Sequence, residues 1–169
     1  MEVTTWYLEM RHPDELRGRP VPEGDLTVVR AALPSPAFSR FLYTAVGGNW
    51  HWTERLPWDD DHWQQYLARP EVETWVAYIS GTPAGYIELE AQRDSNVEIV
   101  YFGLLPSFIG RGLGGYLLTF GVQRAWAMGA RRVWLHTCSL DGPHALANYQ
   151  ARGFRIYRTE TTPRAPGQE

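Results

Sequence analysis

The residues best placed to do chemistry in this chain lie in one glycine-rich stretch, Leu105-Pro106-Ser107-Phe108-Ile109-Gly110-Arg111-Gly112-Leu113-Gly114-Gly115-Tyr116-Leu117-Leu118. A strand-like run precedes it and a helical pattern follows, so the loop opens onto amide N–H groups that have no acceptor inside the helix. Glycine lets a ligand approach the backbone closely, and the helix dipole adds positive potential, which suits a pyrophosphate. A glycine-rich turn that only lets the helix pack tightly has the same spacing. The stretch lacks the Lys-Ser/Thr ending of a P-loop.

A second candidate is Glu98 in Val97-Glu98-Ile99-Val100-Tyr101-Phe102. Strict alternation puts Glu98, Val100 and Phe102 on one strand face and Val97, Ile99 and Tyr101 on the other. A carboxylate among apolar neighbours in a central strand is costly unless it is satisfied or used. Desolvation raises its pKa towards the range of a base for an ammonium proton. A salt bridge to an arginine such as Arg93, or an exposed strand end, accounts for it as well. His136 and Cys138 share a strand face with Thr137 opposite, but no third group completes a nucleophilic pair, so a structural role is expected. Asp141 and His144 are an isolated pair, and no metal site is expected.

Aromatic residues crowd the segment Asn49-Trp50-His51-Trp52-Thr53-Glu54-Arg55-Leu56-Pro57-Trp58-Asp59-Asp60-Asp61-His62-Trp63. Indole faces beside carboxylates suit a cationic or aromatic amine through cation–π attraction and ion pairing. The same residues also read as a helix capped by Asp59 or Asp60 beside tryptophans buried in a core.

Positioning these groups falls to a mixed set of elements. Val3 to Met10 and Leu26 to Arg30 read as extended, interrupted by Pro13, Pro20, Pro22 and Gly24. Ala37 to Val46 and Asp59 to Ala68 read as short helices. Thr74 to Ile79, Ala84 to Leu89 and Val97 to Leu104 form an antiparallel meander. A helix from about Gly112 to Met128, a strand at Arg132 to Thr137, a helix at Gly142 to Ala151 and a strand at Phe154 to Thr159 follow, and the polar residues from Glu160 onward are expected to fray. The order predicts an α/β or α+β sheet with helices on its faces.

Composition limits the classes of function. At 169 residues and 44% hydrophobic content the chain fits one domain, expected over 1–160 with a polar tail at 161–169. A formal net charge of -3 gives no sign of nucleic-acid or polybasic membrane binding. All 16 basic residues are Arg, which coding bias explains. The single Cys138 rules out an internal disulfide framework. Neither a signal peptide nor a membrane-length apolar run is visible, so a cytoplasmic protein is expected.

Two motifs together carry a family resemblance. The glycine loop resembles the Gln/Arg-x-x-Gly-x-Gly/Ala signature of the GNAT superfamily of N-acetyltransferases, with Gly112 and Gly114 at its glycine positions and Ile109 where Gln or Arg is usual. Ala145-Leu146-Ala147-Asn148-Tyr149-Gln150-Ala151-Arg152-Gly153-Phe154 is similar to the family's Ala-x-x-x-Tyr-x-x-x-Gly-Phe pattern. The resemblance covers residues 74–158 well and the first seventy in outline. It implies the GNAT fold, a mixed, mostly antiparallel twisted sheet flanked by helices on both faces. It also implies acetyl transfer from acetyl-CoA to a small-molecule or peptide amine by direct attack in a ternary complex. In that picture the amides of Gly110, Arg111, Gly112, Leu113, Gly114 and Gly115 hold the pyrophosphate, Leu104 and nearby backbone pair with pantetheine, and Asn148 belongs to the same cofactor site. Tyr149 corresponds to the tyrosine that protonates the departing thiolate. Glu98 matches the base position of the histone acetyltransferase branch, and Trp52 and Glu54 would line the acceptor wall. Dimerisation is common in the superfamily, so a homodimer is among the implied states. A member that binds acyl-CoA as a sensor or scaffold without turnover is the alternative.

Overall fold

A computed structural model describes residues 1–164. Seven strands form one sheet in the order β2-β3-β4-β5-β6-β1-β7. They are β1 (Glu2–Met10), β2 (Leu26–Arg30), β3 (Val72–Ile79), β4 (Thr82–Ala91), β5 (Asn96–Leu104), β6 (Arg132–Cys138) and β7 (Arg155–Pro163). Every neighbouring pair is antiparallel except β5 and β6. The helices are α1 (Pro36–Gly47), α2 (Asp60–Leu67), α3 (Leu113–Ala127) and α4 (Ala145–Ala151).

Local chemistry sets the element boundaries. Ser35 caps α1 by accepting from Phe38 N–H, with Pro36 just inside the helix, and Asp59 caps α2 by accepting from His62 N–H. Ser80 and Gly81, both at positive φ, make the two-residue turn between β3 and β4. Gly129 at φ 93 follows α3 and ends it.

The sheet separates two apolar layers. On one face α3 and α4 bury Leu113, Leu117, Leu118, Val122 and Tyr149 against Leu8, Ile87, Leu89, Ile99 and Leu135. Gly121 permits this close approach, since a Cβ there would lie 2.2 Å from Ile87 Cδ1. On the other face α1 packs Leu42 and Val46 on Val76 and Tyr86. Side chains on that face of β6, β1 and β7 touch mainly one another, as in the Tyr7–His136, Tyr7–Tyr157 and Trp134–His136 ring contacts.

Two expectations need correction. The chain does not fray at Glu160, because β7 continues to Pro163 and pairs with β1 as far as Glu2; residues 165–169 lie outside the described ones. The face assignment along β5 also changes. Glu88 pairs with Tyr101 and Leu89 with Ile99, so Val100 is an extra residue, a β-bulge. The bulge breaks the two-residue period, so Glu98 and Tyr101 share the α1 face while Ile99 and Phe102 share the α3 face. Among the described residues no helix is long and apolar enough to cross a membrane.

Candidate active site

The parallel pairing of β5 and β6 covers only Asn96↔Arg132, Val97↔Val133 and Glu98↔Trp134. Beyond Glu98 the strands part. Each remains held on its outer side, β5 by β4 through Gly85↔Leu104 and β6 by β1 through Thr5↔Cys138. The inner backbone edge of 99–104 therefore faces a wedge-shaped opening instead of a strand partner. A backbone edge of this kind can pair with the amides of an extended ligand.

The glycine loop stands at the mouth of the wedge. Gly110 (φ 85) and Gly112 (φ 78) adopt left-handed conformations that other residues reach at a cost, and Gly112 is the N-cap of α3. Leu113, Gly114 and Gly115 follow as the first helical residues, with N–H groups directed out of the helix end. Leu104 joins loop to sheet, its Cδ1 lying 3.7 Å from a Cβ built on Gly114. Arg111 is exposed with its guanidinium 5.3 Å from the Phe108 ring centroid, and Ile109 is exposed. The six backbone positions expected to hold a pyrophosphate are thus contiguous and beside Leu104.

Gly110, Gly112 and Gly115 also match the spacing of a dinucleotide fingerprint. That motif requires the loop to leave a strand directly and an acidic residue near the end of the next strand. Here Leu105 to Ile109 intervene and β6 ends in His136-Thr137-Cys138, so the structural context of the fingerprint is missing.

Glu98 lies where the strands begin to part. Its side chain is only 12% exposed; Gln92 Nε2 donates to Oε1 at 2.9 Å, and His136 Nε2 lies 4.0 Å from Oε2. Burial pushes its pKa up to about 7, against the lowering effect of the Gln92 hydrogen bond, and the charges of Glu90 and Glu88 push the same way as burial. The expected partner Arg93 does not pair with it. Glu88 and Glu90 do have cations, Arg55 and Arg69, at 2.7 and 2.8 Å, which leaves Glu98 as the carboxylate of this group without an arginine.

Tyr149 approaches from the opposite face. Its ring is buried against Phe102 (centroids 6.1 Å) and Phe154 (6.3 Å). Burial first, and the charge of Asp141 second, push its pKa above that of an ordinary phenol. The hydroxyl therefore stays protonated across the physiological range. Asn148, one residue earlier on α4, is half-buried, and its backbone carbonyl accepts from Arg152 N–H at 3.0 Å.

The acceptor-side residues divide. Trp52 packs among Tyr101 (4.7 Å), Tyr43 (5.6 Å) and Tyr86 (6.4 Å), seated against Gly47, where a Cβ would lie 2.3 Å from the indole. Glu54 is exposed and accepts from Tyr101 Oη at 3.4 Å. Tyr101 sits on the same strand face as Glu98, so Glu54 and Trp52 border the carboxylate side of the wedge. Trp75 leaves this group and packs on Phe120, while Trp50 lies against Gly142.

The arrangement also contains a network that sequence reasoning missed. Arg55 makes two bonds to Glu88, at 2.7 and 2.8 Å, and Tyr66 Oη donates to Glu88 Oε2 at 2.7 Å. The guanidinium is stacked within 4.6 Å of the Trp58, Tyr66 and Tyr101 ring centroids. Charge pairing with Glu88 holds Arg55 well above its ordinary pKa against the cost of burial. Glu88, in Gly85-Tyr86-Ile87-Glu88-Leu89, is like Glu98 a carboxylate in an apolar strand, and the same cost of burial marks it in the sequence. Of the clustered tryptophans, Trp58 and Trp63 are therefore already seated on a cation, Arg55.

His136 and Cys138 do not form a working pair. His136 faces Glu98, burial raises the Cys138 thiol pKa, and Asp141 spends its carboxylate on Cys138 N–H (2.9 Å) and the Thr137 hydroxyl. Among the described residues no group of three or more His, Cys, Asp or Glu is placed to hold a metal ion.

Several known proteins are similar to this chain. A dihydroflavonol 4-reductase of Callistephus chinensis is 25% identical over 111 residues, 63% of this chain and 30% of that protein. A mycothiol acetyltransferase of Corynebacterium efficiens is 29% identical over 158 residues, 79% of this chain and 52% of that protein. The chain thus spans about half the length of the second relative and less of the first. A GCN5-related N-acetyltransferase structure from Kribbella flavida superposes with a TM-score of 0.68 at 21% identity, covering 94% of this chain and 56% of that one. Residues 37–154 match the model of the acetyltransferase (GNAT) family, a span that takes in the glycine loop, the parted strands and Tyr149, and the chain belongs to that family.

Proposed function

We propose that this chain transfers an acetyl group from acetyl-CoA to a primary amine within a ternary complex. The observation that carries the reading is the wedge between β5 and β6, open from Glu98 onward and headed by the amides of 110–115. A pyrophosphate fits those amides and the α3 dipole, and the inner edge of 99–104 offers backbone groups to pantetheine. Bound there, acetyl-CoA supplies the electrophilic thioester carbonyl.

The flanking residues divide the proton transfers. Glu98, on the α1 face, takes a proton from the incoming ammonium so that its nitrogen lone pair can form the N–C bond. As the C–S bond breaks, the newly acylated nitrogen releases its second proton to solvent, and Tyr149 Oη on the α3 face gives its proton to the sulfur. Tyr149 then regains a proton from solvent and Glu98 returns its own to solvent, so one proton is released per turnover. The proton taken by Glu98 and the proton reaching the thiolate are thus handled on opposite faces of one strand.

Glu54 and Glu98 give the acceptor side a negative character, and Tyr101 and Trp52 add aromatic faces, so a cationic amine is the favoured acceptor class. Replacing Tyr149 by Phe tests the role of the hydroxyl. We expect kcat to fall about 100- to 10,000-fold with the acetyl-CoA Kd unchanged within about twofold. Equal turnover by the two proteins would remove Tyr149 as the acid.

A further inference from the structure

The first turn of α3 has a second set of neighbours. The connection from β1 to β2 crosses this helix on its way back to the far edge of the sheet. Arg19 N–H donates to Thr119 Oγ1 at 3.0 Å, and Arg17 N–H donates to the carbonyl of Arg152 at 2.8 Å, so the connection is tied both to α3 and to the end of α4. Thr119 is oriented in turn by donating to the Gly115 carbonyl at 2.7 Å. A Cβ built on Gly115 would lie 3.0 Å from Arg19 Cγ and 3.1 Å from Arg152 Nη1. Two arginine side chains therefore converge on one glycine in the opening turn of the helix.

Among the described residues the pair has no counter-charge. Among the same residues Arg152 Nε, a buried atom, has no hydrogen-bond partner. Among the described residues the ion pairs formed by arginine use Arg11, Arg40, Arg55, Arg69, Arg124, Arg132 and Arg158, never Arg19 or Arg152. Burial, and then the charge of Arg19, hold the Arg152 pKa below its ordinary value. Like charges held together beside the positive end of a helix dipole repel, and an anion relieves the repulsion. A phosphate monoester suits the place best, because it carries nearly two charges and its oxygens match the guanidinium fork.

We propose that Arg19 and Arg152, with the glycine flank of Gly115, form a phosphomonoester subsite that takes the 3′-phosphate of the CoA nucleotide. The subsite lies along the first turn of α3 from the amides of 110–115, and it rests on the acetyl-CoA reading above. Gly115 matters twice in this account. Its amide faces the pyrophosphate, and its missing side chain leaves room for both arginines.

The test is calorimetric titration with CoA and with 3′-dephospho-CoA. It uses the wild-type protein, Arg19→Gln, Arg152→Gln and the double variant. Each arginine contributes a charge-assisted contact worth about tenfold in affinity. Wild type should therefore prefer CoA over its dephospho form by up to about 100-fold, each single variant by about tenfold less, and the double variant hardly at all. All four proteins should bind 3′-dephospho-CoA alike, which also shows that the variants fold. Adenosine 3′,5′-bisphosphate should compete with CoA in wild type and lose that ability in the double variant.

A double variant that keeps the wild-type preference, or a wild type with no preference, overturns the subsite and leaves the acetyl-CoA reading standing. A wild type that binds neither form overturns both.

Discussion

Replacing Glu98 by Gln should change how folding stability depends on pH. Burial holds this carboxyl at about 7 in the folded chain, against 4.5 for the ordinary group. Between those values the unfolded chain has released a proton that the folded chain keeps. The folded state then binds more protons, so stability falls as pH rises through the window, the reverse of a salt-bridged carboxylate. A displacement of that size corresponds to at most about 3 kcal/mol. The side chain is only 12% exposed, so solvent screening reduces this little.

Denaturant unfolding at about pH 4.5 and at about pH 8 isolates the contribution, because other groups titrate alike in the two proteins. Wild type should lose about 2–3 kcal/mol more than Glu98→Gln across that interval and level off above it. A difference between the proteins that stays constant within about 0.5 kcal/mol would refute both the burial argument and the assignment of Glu98 as a base near neutrality.

Breaking the Arg55–Glu88 pair with Arg55→Met leaves a buried carboxylate, and should cost about 3–5 kcal/mol by urea unfolding, most of it recovered by adding Glu88→Leu. Gly153→Ala should cost more than about 2 kcal/mol in the same assay, since φ is 108 and the new Cβ would meet Glu15 O at 2.0 Å. Trp52→Phe should raise the acceptor KM while leaving acetyl-CoA Kd unchanged, read from steady-state kinetics and calorimetry on one preparation; an unchanged acceptor KM would take Trp52 out of the acceptor wall.

Much of the frame was readable from patterns that act locally. The Ser80-Gly81 turn, the Asp59 cap and the helical spacing of Leu118, Val122 and Ala125 all depend on near neighbours in the chain, and each lies where its residue types predict. Leu104 likewise lies beside the glycine loop, as a strand running straight into that loop predicts. What escaped was set by pairing between distant segments. Strand β1 lies between β6 and β7, a position that nothing within Val3 to Met10 encodes. The bulge at Val100 is one residue too many relative to β4, visible only once Glu88 and Tyr101 are opposite each other. Arg55 carried no signal because its partner Glu88 is on another element, and two of the clustered tryptophans, Trp58 and Trp63, stack on that arginine. Arg19 carried no motif at all; its meaning comes from the connection that lays it beside Arg152.

The most direct test of the account is thiol release from acetyl-CoA by the purified protein. Acceptors would be pooled as polyamines, amino acids, aromatic amines, aminoglycosides and lysine-containing peptides. The account predicts release above the hydrolysis background with at least one cationic pool, rising with pH to a midpoint near 7 and losing that rise in Glu98→Gln. Release with no pool, from a protein that calorimetry shows to bind acetyl-CoA, would contradict acetyl transfer to an amine and favour acyl-CoA sensing without turnover.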